Sequence, residues 1–169
     1  MIYKRCLVKK IKLIIKNDSG RELVAQNLSF KYLRYIKKLK NKNHMKFTYN
    51  KKITWVRHIN WYIEYLKAPE NFFYILKSDK SNYGTIGIKM KNDGWHIYSV
   101  IRDDSKIYEK NLMSILVNGV LQNYIVSGDI FCEVVRGNSA INWYSMLGFE
   151  LTHETKNSYY LVLRKVGSV

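Results

Sequence analysis

Between Asn71 and Ile101 the chain carries three successive stretches, NFFYILK, GTIGIKM and GWHIYSVI, whose apolar residues recur with a period of two. That period belongs to strands with one face on a core. Turn-forming Ser, Asn, Asp and Gly cluster between them, at Ser78 to Tyr83 and at Lys91 to Gly94, so the three read as an antiparallel meander. A chain with this centre is built on a sheet, and its remaining segments have to cover that sheet.

Before the meander, KRCLVKKIKLII reads as an opening strand. Ser19 and Glu22 have capping-box spacing, which predicts a helix starting there with Ala25, Leu28, Tyr32, Ile36 and Leu39 on its inward face. A polar stretch from Lys40 to Lys52 loops to ITWVRHINWYIEYL, where Thr54 can cap a second helix. Val56, Ile59, Ile63 and Leu66 are its expected core face, and it stops before Pro69. After the meander come a polar loop, RDDSK, and a helix from about Tyr108 to Tyr124. This helix has a polar face of Lys110, Ser114, Asn118 and Gln122, with Leu112, Ile115, Leu116 and Val120 turned inward. DIFCEVV reads as a strand, Asn138 to Leu147 as a helix, and SYYLVLRK as a closing strand. No repeat, low-complexity tract or linker divides the 169 residues, which predicts one mixed α/β domain over 1–169.

Charge narrows the partners. Lysine and arginine number 29 against 13 acids, a formal charge of +16 that favours polyanions and phosphate-bearing small molecules. The basic residues are spread along the chain, with clusters at Lys9-Lys10-Lys12, Lys37-Lys38-Lys40 and Lys51-Lys52 that read as solvated faces. No zinc-finger spacing, aromatic RNA-binding signature or basic heptad helix is present, so nucleic acid is disfavoured as a partner. Cys6 and Cys132 are isolated and suggest neither a disulfide framework nor a metal site. The N-terminal MIYKRCLVKKIKLIIK lacks a signal-peptide core, and no apolar run reaches the roughly 20 residues of a membrane span, so a cytoplasmic protein is expected.

The segment GNSAINWYSMLGFE carries the most specific pattern: Val134, three residues, Asn138, one residue, Ala140, three residues, Tyr144, three residues, Gly148-Phe149. This resembles the last motif block of the GNAT acyltransferase superfamily, and the order of elements along nearly the whole chain resembles that fold. The resemblance implies a single-domain GNAT fold of the α+β type. Its mixed central sheet would have about six or seven strands and about four flanking helices, splayed between the fourth strand, WHIYSVI, and the fifth, DIFCEVV. It also implies acetyl-CoA as co-substrate, its pantetheine arm filling the gap between the splayed strands, whose backbone groups otherwise lack partners. Asn138 would cap the following helix and contact that arm, small Ala140 would permit close approach, and Tyr144 would protonate the departing thiolate. A backbone amide of Val100 or Ile101 would polarise the thioester carbonyl.

In the family a glycine-rich turn after the fourth strand closes on the pyrophosphate. Here the stretch RDDSKIYEKNLMSIL contains no glycine. Either Arg102, Lys106 and Lys110, with Asn111 beside them, supply the phosphate contacts, or this chain binds acyl-CoA poorly; Asp103 and Asp104 place opposing charge nearby.

Ile53, His58 and Trp61 resemble a signature of GNAT enzymes that acetylate nucleotide-linked amino sugars, and of related spermidine and protein N-terminal acetyltransferases. Trp55, His58, Trp61 and Tyr62 are therefore expected at the acceptor. An amine must lose a proton before it attacks, and His96, Glu133 and, third, His58 are the candidate bases. The implied activity is N-acetylation of a nucleotide-linked amino sugar, with a polyamine or protein N-terminus as alternatives and a homodimer compatible with the resemblance. The alternative from a different class is an inactive GNAT-like module holding nucleic acid or an acidic protein.

Overall fold

The computed structural model describes residues 12–16, 20, 22–78, 81–105, 111–125 and 128–164. Eight strands form one sheet in the order β1-β2-β3-β4-β5-β6-β8-β7. They are β1 (Leu13–Lys16), β2 (Glu22–Asn27), β3 (Asn71–Ser78), β4 (Ser81–Lys91), β5 (Gly94–Arg102), β6 (Ile130–Val135), β7 (Glu150–Glu154) and β8 (Ser158–Leu163). Four helices flank it: α1 (Leu33–Lys42), α2 (Trp55–Lys67), α3 (Leu112–Tyr124) and α4 (Ala140–Met146). Every neighbouring pair is antiparallel except β5 and β6. Among the described residues no helix is long and apolar enough to cross a membrane.

The meander stands as expected, and its central strand explains the two-layer core. Along β3 successive side chains go to opposite faces. Tyr74 and Leu76 join Ile86, Leu116, Val120 and Leu161 under α3 and α4. Phe73 and Ile75 join Leu28, Tyr32, Ile36 and Tyr65 under α1 and α2.

Two expectations are corrected. The sheet has one strand more than anticipated, because Glu22–Asn27 is β2 and not the start of a helix. Leu23 and Ala25 are buried while Val24 and Gln26 are half-buried, a period of two, and the strand is laddered to β3 from Leu23↔Ser78 to Asn27↔Tyr74. The helical spacing Ala25-Leu28-Tyr32-Ile36-Leu39 spans a strand, a turn and α1, so its early part agreed with a helix only by coincidence; pairing with β3 decides a window that short. Ser19, and the part of KRCLVKKIKLII before Lys12, lie outside the described residues.

In α2, Thr54 caps as expected, its Oγ1 accepting from the Arg57 amide at 3.3 Å. The buried face is different. Val56, Ile63 and Leu66 are exposed, whereas His58 and Tyr65 are buried with Trp61 and Tyr62 beside them. Aromatic rings reach farther into the α1–β3 groove than aliphatic side chains, and the chain follows the larger apolar area.

In α3 the expected inward residues Leu112, Leu116 and Val120 are buried and Ile115 packs half-buried against the same core, with Met113, Val117 and Leu121 buried beside them.

Candidate active site

β5 and β6 run parallel but pair only through Trp95↔Ile130 and His96↔Phe131, then part. Past that point β6 continues to pair on its other side with β8 as far as Val135↔Ser158, so the sheet opens a wedge between Val100 and Val134. Within β5 the register against β4 breaks between Thr85 and Gly87. Ser99 takes a positive φ of 49° there, and its carbonyl accepts from Thr85 Oγ1 at 2.7 Å. Such a bulge bends the strand and turns its side chains relative to the neighbour. Gly87 makes room for it: a Cβ there would run into the Tyr98 ring, whose hydroxyl donates to Asn71 Oδ1 at 2.5 Å.

α4 closes the wedge. Asn138 Oδ1 accepts from the Ala140 amide at 3.0 Å, the cap expected of it, and Asn138 Nδ2 donates to the Lys46 carbonyl at 3.4 Å. The helix ends at Gly148, which takes φ +89° as a left-handed terminator, and Phe149 then packs edge-on against the Tyr144 ring with centroids 5.3 Å apart. That explains the Gly-Phe pair: one residue turns the chain, and the next clamps the tyrosine. Tyr144 is 7% exposed, and burial, followed by its neighbour Cys132, holds its hydroxyl well above the usual tyrosine range, so the proton stays on it at neutral pH.

Two cavities meet at the wedge, and Lys46, Phe47, Val100, Asn138, Ala140 and Tyr144 border both. The first, of about 280 Å³, is also lined by Ile101, Arg102, Asp104, Met113 and Trp143. Trp143 is fixed by its Nε1 donating to Ser114 Oγ at 2.9 Å, which ties α4 to α3. Arg102 Nε sits 2.6 Å from Asp104 Oδ1, so its charge is matched within its own loop. Lys106 and Lys110 lie outside the described residues. Asn111 stands before α3 with φ +72°, a left-handed conformation that asparagine tolerates better than most residues. The chain thus places a positive φ at the helix entrance without a glycine.

The second cavity, of about 510 Å³, lies on the α1–α2 side, with Lys89, Lys91, His96 and Glu133 on its wall. Glu133 Oε1 accepts from Ser158 Oγ at 2.7 Å and from Thr48 Oγ1 at 3.2 Å. His96 Nε2 contacts Asp93 Oδ1 at 2.8 Å, and its ring stacks on Phe131. A carboxylate partner at Nε2 leaves the lone pair of a neutral imidazole on Nδ1.

Tyr144, Asn138, Val100, Ile101, Arg102, His96 and Glu133 are therefore brought together. The four α2 residues are not on these walls. His58 is buried with Nε2 2.9 Å from the Leu33 carbonyl, and it stacks on Trp61, which meets Phe73 edge-on at 5.3 Å. Tyr62 stacks toward Tyr65, and Trp55, 48% exposed, lies under Lys37. Burial lowers the His58 pKa below the ordinary histidine value, as befits a neutral packing group. Conversely, Lys46 to Tyr49 read only as polar loop in the sequence, yet they roof the cavity; no local pattern marks a loop that gains its position from contacts 85 to 92 residues away.

Neither a protein-family model nor a curated protein matches the sequence. Solved structures do match the fold. FdhC, a nucleotide-linked sugar GNAT in its apo form, superposes with a TM-score of 0.71 at 16% identity, over 92% of this chain and 90% of that one. Spermidine N-acetyltransferase from Vibrio cholerae, in complex with CoA and spermine, gives 0.71 at 15% identity over 83% and 94%. The Campylobacter jejuni N-acetyltransferase PseH, in complex with acetyl coenzyme A, gives 0.64 at 16% over 85% and 99%. With its eight-stranded mixed sheet, its β5–β6 wedge and α4 at the mouth of that wedge, the chain has the fold of the GNAT N-acetyltransferases.

Proposed function

We propose that this protein is an acetyl-CoA-dependent N-acetyltransferase whose acceptor is the amine of a nucleotide-linked amino sugar. The observation that carries the reading is Tyr144, buried and protonated at the point where both cavities meet the wedge. An extended, amide-bearing arm suits the gap, because β5 beyond His96 and β6 beyond Phe131 present unladdered edges to each other. Val100, Ile101, Asn138 and the α3 entrance at Asn111 would hold the coenzyme, which supplies an acetyl group on an already activated thioester.

The chain's own groups then do the following. Glu133 takes the proton from the acceptor ammonium, directly or through water, so that the nitrogen lone pair can bond to the acetyl carbon. The extended ladder offset puts Glu133 level with Tyr98, two residues nearer Val100 than His96 is, about 6.6 Å along the strand. A backbone amide of Val100 or Ile101 polarises the carbonyl. As the carbon–sulfur bond breaks, Tyr144 gives its proton to the leaving sulfur.

Electrostatics favours the sugar nucleotide over a polyamine. The acceptor-side wall carries Lys46, Lys89 and Lys91 against the single carboxylate of Glu133 among the described residues that line it. A polycation would meet net repulsion, whereas a diphosphate would meet attraction. The FdhC resemblance supports the same choice, and the spermidine enzyme is the competing one.

Mass spectrometry of reactions with acetyl-CoA and a panel of amino-sugar nucleotides, polyamines and peptides tests this. An acetylated sugar nucleotide is the expected product. At a hundredfold excess over its dissociation constant, acetyl-CoA should stabilise the fold by about 2.7 kcal/mol. No such stabilisation, together with steeply salt-dependent binding to generic nucleic acid, would indicate the inactive module instead.

A further inference from the structure

Beside the acceptor cavity lies a smaller chamber of about 150 Å³, between α1, the loop after it and the bulge of β5. Phe47, Tyr49 and Ser99 border both spaces, so the chamber opens off the cavity near the reacting centre. Its volume is enough for one small group.

Its wall is mixed: Phe47 and Ile53 are apolar, Lys40, Lys51, His44, Tyr49 and Ser99 can donate, and no carboxylate is among the described residues that line it. Lys40 is the unusual member. Its ammonium lies over the Trp61 ring at 4.5 Å and the Phe73 ring at 5.8 Å, and no ion pair or hydrogen bond to it is found among the described residues. Ring faces compensate a desolvated cation only in part. Lys40 is half-buried, and a partly covered ammonium without an anion carries a desolvation cost that a bound anion would offset. Burial lowers its pKa from 10.5 to about 8, which leaves it mostly charged at pH 7.

We propose that this chamber takes one anionic group of the acceptor, a phosphoester or a carboxylate, with Lys40 as its counter-ion. The inference rests on the acyltransferase reading for the identity of the ligand, but the binding itself does not depend on acetyl transfer. It also gives Trp61 an indirect part: the indole is outside the lining of the chamber, yet it holds the ammonium of Lys40, which belongs to that lining.

Inorganic phosphate and sodium acetate, titrated separately at pH 7 and constant ionic strength, are the probes, followed by the indole N–H resonance of Trp61. In the wild type one or both should move that resonance saturably, and the anion that binds more tightly identifies the source as phosphoester or carboxylate. Lys40→Met keeps the length of the stem and should raise the apparent Kd at least tenfold. Lys38→Met removes one charge from the exposed side of the same helix and should leave the Kd unchanged. Should Lys40→Met fold poorly, Lys40→Gln takes its place. An unchanged Kd in the Lys40 variant, an equal loss in Lys38→Met, or no saturable shift with either anion overturns the proposal. The acetyl-CoA melting shift, measured on the same samples, separates the two readings: an intact shift without anion binding removes the chamber alone, and an absent shift removes the acyltransferase reading while the anion titration still decides the chamber.

Discussion

His96 on β5 lies opposite Phe131 on β6, their rings stacked 5.2 Å apart, and this pair is the last rung between the two strands. The geometry beyond it follows from competition for β6. That strand is engaged with β8 along its entire length, Ile130↔Leu163 to Val135↔Ser158, while β5 is engaged with β4 and bulges at Ser99. Each strand follows its own partner, the twist of the sheet separates them, and the stacked rings hold the apex of the wedge.

Hydrogen exchange can read that wedge directly. Amides of β5 from Tyr98 to Ile101 and of β6 from Glu133 to Val135 that face the gap should exchange faster than those of Trp95 and His96, and acetyl-CoA should slow them. Protection that is already uniform along both strands without the coenzyme would mean that the wedge closes in solution.

The choice of base is testable by comparing two substitutions. Glu133→Gln should lower kcat/KM about 10²-fold, since a general base typically contributes 10² or more. His96→Gln should change it much less, because His96 sits nearer the apex of the wedge. A larger loss in His96→Gln would transfer the role to the His96–Asp93 pair.

Lys40 makes a pH-dependent contribution whose sign can be worked out. Its pKa is about 8 in the folded protein and 10.5 in the ordinary state. Below pH 8 both states are charged, and the folded state carries the full burial penalty. Between about 8 and 10.5 the folded protein releases this proton first, the unfolded chain binds more protons, and stability rises with pH. Lys40→Met should therefore be more stable than the wild type at pH 7 in urea unfolding, with the gap narrowing toward pH 10.5. A gap that is constant over this range would place Lys40 in water.

The parts of the fold that were legible in the sequence are those whose pattern is local. Three alternating stretches gave β3 to β5, and the Asn138-to-Phe149 spacing gave α4 with its cap and its turn. Leu23 and Ala25 were misread because six residues fit either period until β3 pairs with them. The aliphatic stripe of α2 was misread because burial is decided by what the opposite surface offers; there the Phe73 face accepts Trp61 and Tyr65 rather than Val56 and Ile63. The cleft wall was legible where the motif was contiguous and illegible at Lys46 and Ser99, which come to one cavity only through tertiary contacts.

Tyr144 is the residue on which the acyl-transfer reading is most exposed to test. Its ring is held between Trp143 and Phe149, with centroids 4.9 and 5.3 Å away, so Tyr144→Phe keeps the packing and removes only the hydroxyl. If that oxygen had a purely structural role, the substitution would leave turnover almost intact. As proton donor to the leaving sulfur it acts only in the transition state, so kcat should fall about 10²-fold while KM for acetyl-CoA hardly moves. An acyl donor whose thiol has a lower pKa needs less help from an acid, and the loss should shrink with it. Steady-state kinetics of the folded variant on both donors decides the matter: unchanged turnover, or a loss that is equal for the two donors, would take Tyr144 out of the chemistry.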